Sequence, residues 1–311
     1  MSASAGNEQA LDAGDPSLPA LEPPERTLAQ EPPESDPATS PQTSWRPWTA
    51  PLALVGGIVL AAVGGLVVDL PALAFGVNLT SSHTPPGLVI LDTVVQDVAF
   101  VLAAVYCARL GGRVVRSWQF GLRRPGVGWK SSVGLIVLLL VVFVVLSVIW
   151  SELVNPTKEK LLEQLGSHEG TLMLLASAGL TCVIAPIAEE LLFRGYIFTA
   201  LRNWRGTLPA AIITGLLFGG VHAGSAPVLD LIPLAALGFG LCLLYRATGS
   251  IYPCIVTHSL NNSVAFASLE EWGWQTPVLM VAALLGVGAV ALAAKRVGLI
   301  APAAPLPRLG T

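Results

Sequence analysis

Two adjacent glutamates and an arginine lie within an apolar stretch of the sequence, Ala188-Glu189-Glu190-Leu191-Leu192-Phe193-Arg194. Ionisable side chains inside a membrane helix are energetically costly and are therefore candidates for function. In a helix, Glu190 and Arg194 are four residues apart, in the order that favours a Glu–Arg pair. Glu189 lies about 100° further round the helix. The spacing therefore predicts a Glu190–Arg194 ion pair and leaves Glu189 available for chemistry.

A second apolar stretch ends with a histidine, in Phe218-Gly219-Gly220-Val221-His222. No charged residue accompanies His222 in its own predicted helix. The pairs Gly215/Gly219 and Gly220/Gly224 have the spacing of small residues that lets membrane helices approach closely. We therefore expect a neighbouring helix within hydrogen-bonding reach of His222.

A third apolar stretch contains His258 and Asn262, which share one helix face with Asn261 beside them. With a rise of about 1.5 Å per residue, Glu189, His222 and His258 each lie roughly 20 Å from the cytoplasmic end of their helix. Three separate helices thus place their polar residues at one depth, which predicts a shared site.

The elements that carry these residues are membrane helices. The chain is 53% hydrophobic and 12% charged, with a mean hydropathy of +0.68, unlike an ordinary soluble domain. Its apolar runs have the length of about 20 residues that a bilayer requires. We expect an all-α, polytopic membrane helix bundle of about eight transmembrane helices. The predicted spans are 51–75, 87–108, 132–154, 171–201, 208–224, 227–246, 250–268 and 277–295.

The distribution of basic residues predicts the orientation of these spans. The connection 109–131 carries six Arg and Lys residues, whereas Lys158 and Lys160 are the basic residues expected on the opposite side. Both termini are therefore expected in the cytoplasm. Residues 1–48 are acidic and Pro-rich and are expected to be a disordered tail. Residues 49–298 then form the membrane domain, beginning with an uncleaved anchor, and 299–311 form a short cytoplasmic tail.

Composition and spacing also argue against several functions. No basic patch suggests a nucleic-acid partner, and the four cysteines stand singly without metal-ligand spacing. A transporter with a Glu/His proton relay is disfavoured because the sequence contains no internal repeat.

The motifs EExxxR, FxxxH and HxxxN, in this order on successive helices, resemble the CPBP family of intramembrane proteases. This family includes the type II CAAX prenyl endopeptidases and the Abi proteins. The resemblance spans about 90–290 and includes Phe120–Pro125 and Thr248–Ser250. It implies that Glu189 is the catalytic acid/base, supported by Glu190 and Arg194. It also implies a pocket role for Phe218, polar roles at the reacting centre for His222 and His258, and an oxyanion donor in Asn262.

Peptide hydrolysis by these residues would use an activated water, because no serine or cysteine lies in a recognisable nucleophile motif. Glu189 could take a proton from that water and return it to the leaving amine. No cofactor is needed for this chemistry. The alternative is a Zn²⁺ site with Glu189, His222 and His258 as ligands, although the sequence has no HExxH motif.

The expected function is an intramembrane endopeptidase that acts on a membrane-embedded or membrane-anchored peptide or protein in the lipid bilayer. By the resemblance, its substrate would be CAAX-like or of a sorting or bacteriocin type. The Ala-, Pro- and Arg-rich composition is typical of a bacterial protein, for which prenylated substrates are unexpected and the plasma (inner) membrane is the expected location. The alternative function is a non-catalytic membrane binding or bacteriocin-immunity protein of the same fold.

Overall fold

The computed structural model describes residues 45–79, 84–110, 114–154 and 170–300. Within these residues the chain forms eight helices and no β-strand. In chain order they are α1 (Thr49–Ala74), α2 (Pro86–Arg109), α3 (Gly128–Val154), α4 (Thr171–Arg205), α5 (Thr207–Val221), α6 (Leu231–Thr248), α7 (Tyr252–Leu269) and α8 (Gln275–Arg296). Short 3₁₀ turns lie at Ser117–Phe120 and Val228–Asp230. The predicted all-α polytopic bundle is confirmed.

Six of these eight helices are long and apolar enough to cross a membrane by length and composition. The exceptions are α5, a shorter apolar helix of 15 residues, and α7, which contains seven Ser, Thr, Asn and His residues. Of the three helices with candidate residues, α5 and α7 therefore have the weakest membrane-spanning character. Both pack against α4, and Thr257, His258, Ser259 and Ser263 of α7 are buried.

Helix α4 is the central element of the bundle. It packs against α1, α2, α5, α6, α7 and α8. Two π-helical segments, Leu180–Ile184 and Leu191–Phe198, interrupt its α-helical geometry. The glutamate pair lies in the single α-helical segment between them, Ala185–Glu190. Such π segments occur often at functional sites because they change the direction of the side chains that follow.

Pro186 accounts for the first interruption in α4. Proline has no N–H group, so the carbonyl of Cys182, four residues earlier, loses its usual helical donor. The hydroxyl of Ser259 on α7 donates to that carbonyl at 2.6 Å. Because an unpaired buried carbonyl is costly, this irregularity in α4 gives α7 a fixed docking point.

Glycines bring α5 and α6 into close contact. A Cβ atom on Gly215 would lie 2.7 Å from the carbonyl oxygen of Ala235, and one on Gly219 would lie 2.5 Å from that of Leu231. A Cβ on Gly220 would meet nothing within 4 Å. The Gly215/Gly219 pair thus serves the close approach that its spacing predicts, whereas Gly220 and Gly224 face open space.

Two stretches that carry part of the family resemblance contact each other directly. Arg123 Nε donates to the carbonyl of Gly249 at 2.7 Å, and Ser250 Oγ donates to the carbonyl of Arg123 at 2.6 Å. The N–H of Ile251 donates to the carbonyl of Gly121 at 3.0 Å. These bonds attach the connection before α3 to the turn between α6 and α7.

Packing of the membrane domain begins at Trp45, which is 5% exposed. Its ring centroid lies 5.1 Å from that of Phe120 and 4.8 Å from that of Tyr196. Of the predicted disordered tail 1–48, residues 1–44 lie outside the described residues, whereas Trp45 already packs in the domain. Lys158, Lys160 and residues 301–311 of the predicted C-terminal tail also lie outside the described residues.

Candidate active site

The predicted Glu190–Arg194 ion pair is present and fully buried. Arg194 Nη1 lies 2.8 Å from Glu190 Oε1, and both side chains are 0% exposed. Arg194 Nη2 also donates to the carbonyl of Gly238 on α6 at 3.0 Å, and its Cζ lies 4.5 Å from the centroid of Phe218. The buried ion pair, which lies on α4, therefore also contacts α5 and α6.

His258 on α7 completes this pair. Its Nδ1 lies 2.9 Å from the same Oε1 of Glu190 that accepts from Arg194. Because a carboxylate only accepts hydrogen bonds, Nδ1 must carry the proton. In the neutral ring, Nε2 then presents a lone pair.

Glu189 lies on the other side of this imidazole. Its Oε2 is 3.9 Å from His258 Nε2, too far for a direct hydrogen bond. Oε2 has no hydrogen-bond partner among the described residues, and the residue is 9% exposed. The two adjacent glutamates thus have different surroundings. Oε1 of Glu190 accepts from two donor groups, whereas the unpaired Oε2 of Glu189 faces Nε2 of His258.

His222 is half-buried and directly follows α5 as its C-terminal cap. Its Nδ1 lies 2.8 Å from the carbonyl of Phe218 in the same helix. The hydrogen-bond partner of Nδ1 therefore lies in the preceding turn of α5. The sequence had suggested a partner on a neighbouring helix. Since a carbonyl only accepts, Nδ1 is again the donor, and the neutral ring has its lone pair on Nε2.

Phe218 lies between the two histidines. Its ring centroid is 5.1 Å from that of His222 and 5.5 Å from that of His258. It is fully buried and also contacts Phe193 edge to face at 5.2 Å. Phe218 therefore sets the positions of both imidazoles and lies over Arg194.

Asn262 lies one turn beyond His258 on α7. Its Nδ2 donates to the carbonyl of Thr181 at 3.0 Å, within the first π segment of α4. Ser259 and Asn262 thus contact neighbouring carbonyls of that segment. These two bonds hold α7 in the register that places His258 beside both glutamates.

The described residues contain no group of three or more His, Cys, Asp or Glu side chains that could hold a metal ion. Glu190 Oε1 already accepts from Arg194 and His258, and both histidine Nδ1 atoms are donors. These bonds leave Nε2 of each histidine as the atom that would bind Zn²⁺ together with Glu189, but the three residues do not form a group that could hold the ion.

A cavity of about 350 Å³ lies beside α4 and is lined by residues of α2, α4, α7 and α8 and of the connection before α3, but by none of the candidate site residues. Its apolar lining includes Ile187, Leu191 and Ile255, which lie within one helical turn of Glu189, Glu190 or His258. Exposed Arg109 and Arg116 also line it. Sequence reasoning did not locate this cavity because its walls come from five separate segments of the chain.

Asp97 is a further buried acid near these residues. It is 2% exposed on α2, which packs against the segment of α4 that contains the glutamates.

The geometry defines a polytopic helical membrane protein with a buried Glu–His–Arg site. Residues 171–264 match the family described as "Type II CAAX prenyl endopeptidase Rce1-like", which supports the resemblance seen in the motifs. This range includes all of the candidate site residues between Glu189 and Asn262. It does not include Asp97.

Similar proteins were found over the same part of the chain. A Bacillus subtilis (strain 168) protein named "Putative membrane peptidase YdiL" is 34% identical over 100 residues, which are 32% of this chain and 38% of that protein. The "UPF0177 protein YxdF" of Lactococcus lactis subsp. lactis (strain IL1403) is 32% identical over 93 residues, 30% of this chain and 50% of that protein. The chain thus matches half or less of the length of each. No solved structure matches the chain.

Proposed function

We propose that this protein is an intramembrane endopeptidase that hydrolyses a peptide bond with a water activated by Glu189. The observation that carries the proposal is the contrast between the two glutamates. Glu190 is held by Arg194 and His258 at 2.8 and 2.9 Å, whereas Oε2 of Glu189 is unpaired and faces His258 Nε2 at 3.9 Å. The match of residues 171–264 to the endopeptidase family supports this assignment.

The reacting water would lie between Glu189 Oε2 and His258 Nε2. In the neutral tautomer of His258, both atoms are acceptors, so one water can donate an O–H to each. Glu189 takes one proton as the water oxygen attacks the scissile carbonyl carbon. The carbonyl oxygen becomes an oxyanion. Glu189 then returns the proton to the amide nitrogen, the C–N bond breaks, and an acid and an amine are released.

Glu190 and Arg194 would act through His258. The Nδ1–H···Oε1 bond fixes the tautomer and the ring orientation, as in other sites where a carboxylate orients a histidine. Arg194 balances the Glu190 charge, so that His258 does not have to become cationic to satisfy it. Because Nε2 of neutral His222 carries no proton, His222 would orient a water by accepting an O–H at that atom, and Asn262 would be the oxyanion donor.

The substrate would be a membrane-embedded or membrane-anchored peptide whose apolar groups enter the cavity beside Ile187, Leu191 and Ile255. Exposed Arg109 and Arg116 in the wall of this cavity would favour an acidic or C-terminal carboxylate group nearby. By the positive-inside rule, the basic connection 109–131 and both termini would face the cytoplasm of a bacterial cell.

The proposal is tested with cells that produce either the parent protein or Glu189→Gln, followed by quantitative comparison of their membrane-associated peptides. We expect cleavage products only with the parent protein, and hydrolysis of the identified peptide by purified protein in liposomes. Glu152→Gln, an exposed carboxylate at the end of α3, is the matched control. Equal processing by Glu189→Gln would contradict the proposal and favour the non-catalytic binding function.

The metal-independent form of the proposal has its own test. The purified protein should contain no stoichiometric metal by elemental analysis, and its activity should persist after dialysis against a chelator. Loss of activity that Zn²⁺ restores would contradict it.

A further inference from the structure

The cavity beside α4 contains none of the side chains that the proposed chemistry uses. Its walls include one stretch of α2 and one of α8. Helix α2 packs against α1 and α4, whereas α8 packs against α4 and α7. The cavity is partly open, and Val290 in its wall is 36% exposed. It therefore lies between two helices at the surface of the bundle, where molecules of the bilayer can enter it.

The cavity follows both helices over about the depth of one leaflet. On α2 its lining extends from Val101 to Arg109, and on α8 from Val287 to Ala294. At a rise of about 1.5 Å per residue, these stretches are about 10–12 Å long. They end at the basic ends of the two helices. Because the hydrocarbon of one leaflet is about 15 Å deep, the cavity has the depth of an acyl chain that extends from the bilayer surface toward its centre.

The charge of the cavity is confined to that basic end. Its charged lining residues are Arg109 and Arg116, both exposed, and no acidic side chain belongs to its described lining. Apart from Ser117 and Tyr252, the other lining residues are apolar. A ligand that matches this distribution has an anionic group at one end and a hydrocarbon chain at the other.

We propose that the cavity is a binding site for an anionic phospholipid of the adjoining leaflet. One acyl chain fills its apolar part, and the phosphate of the head group binds Arg109 and Arg116. Basic pockets between membrane helices bind anionic head groups, and a guanidinium offers paired donors to phosphate oxygens. A soluble anion would leave the apolar walls in contact with water, and an uncharged lipid would leave the two arginines without a counter-charge.

The lipid would occupy the space that the apolar groups of the proposed substrate enter, so lipid and substrate exclude each other. This consequence rests on the proposed function. The binding of the lipid does not rest on it and can be measured without a substrate.

Native mass spectrometry of the full-length protein in detergent tests the role of the arginines, with phosphatidylglycerol and phosphatidylcholine of identical chains as probes. We expect one phosphatidylglycerol to bind at least about tenfold more tightly than phosphatidylcholine. The double variant Arg109→Gln/Arg116→Gln should lose this preference. Equal affinity of the parent protein for both lipids would overturn the inference.

The double variant Lys295→Gln/Arg296→Gln is the matched control. It removes two exposed positive charges from the same end of the bundle, and neither residue lines the cavity. It should keep the preference for phosphatidylglycerol. An equal loss in both double variants would overturn the inference, because the attraction would then belong to the basic surface as a whole.

Two neighbouring residues of α8 test whether the chain lies in the cavity. Ala291 lines it, whereas Leu292 is exposed and does not. Ala291→Phe should lower the affinity for phosphatidylglycerol at least about tenfold, because the added ring takes the place of the chain, and Leu292→Phe should leave it unchanged. Normal binding to Ala291→Phe would overturn the inference. So would displacement of the lipid by an equal concentration of glycerol 3-phosphate, which has the phosphate but no chain.

Competition with the substrate is tested once a substrate has been identified with the Glu189→Gln comparison. Raising the share of phosphatidylglycerol in the liposomes should raise KM and leave kcat unchanged, and an unchanged KM would overturn the competition. If Glu189→Gln itself cleaves normally, the proposed function fails, and mass spectrometry alone decides whether the lipid site exists.

Discussion

Nδ1 of His258 lies 2.9 Å from Oε1 of Glu190, and the same oxygen accepts from Arg194 at 2.8 Å. One carboxylate oxygen thus receives donors from two helices, α4 and α7. The second oxygen of Glu190 has no hydrogen-bond partner among the described residues. Glu190 is therefore committed to orienting the histidine, which leaves the water-activating role to Glu189.

Because Glu190 and Arg194 are buried together, we expect the stability of the protein to depend strongly on the balance between their two charges. Glu190→Gln leaves Arg194 buried and uncompensated, and Arg194→Met does the same to Glu190. Each change should lower the free energy of unfolding by about 3–5 kcal/mol. The double variant removes both charges and should regain most of this loss. Thermal or denaturant unfolding in detergent measures all three variants.

The double variant also separates stability from activity. With Glu190→Gln, Nδ1–H of His258 meets a neutral amide, which is a weaker acceptor than a carboxylate and can also turn its NH₂ group toward the ring. Cleavage should therefore stay at least about 100-fold below that of the parent protein. A stable double variant with normal cleavage would show that Glu190 serves only to balance the charge of Arg194.

The contact between Ser259 and the Cys182 carbonyl predicts a second effect on stability. Ser259→Ala should lower the free energy of unfolding by about 1–3 kcal/mol because the carbonyl is left without a donor. Thr257→Val removes a hydroxyl that bonds only within α7 and should have a smaller effect. Pro186→Ala, which restores an N–H four residues after Cys182, should recover part of the loss in the Ser259→Ala background. No recovery would mean that Pro186 does not cause the irregularity.

Neighbouring glycines in α5 offer a matched pair of substitutions. Gly219→Ala places a methyl group against the backbone of α6 and should destabilise the protein by about 1–3 kcal/mol through overpacking. Gly220→Ala meets open space and should be neutral or stabilising by up to about 1 kcal/mol, because alanine favours the helix. The Tm of each variant tests this difference. Similar values for both would contradict the close approach of α5 and α6.

Phe218 is predicted to affect activity as well as stability, because it contacts both histidines in addition to packing in the core. Phe218→Leu and Phe266→Leu both shorten fully buried aromatic side chains. Both should be destabilising by about 1–3 kcal/mol. Phe218→Leu alone removes the ring between His222 and His258 and should lower kcat about tenfold or more, since such aromatic contacts contribute about 0.5–1.5 kcal/mol each. An equal kcat for both variants, measured on the identified substrate, would refute a positioning role for Phe218.

The sequence by itself determined the membrane class, the eight helices and the polar residues that interrupt them. Long apolar runs are local signals, and the i, i+4 spacing of Glu190 and Arg194 is a property of a single helix. The ion pair was therefore predictable, as was the unpaired state of Glu189. The Gly215/Gly219 spacing likewise predicted close helix packing.

Only the tertiary structure decided which side chains meet across helices. The Glu190–His258 bond joins residues that are 68 positions apart, and its geometry depends on how α7 docks onto the π segment of α4. Depth along a helix indicated that the polar groups share a level but not which way each one points. His222 bonds within its own helix, because the rotation and packing of the helices orient their side chains, and local spacing encodes neither of these.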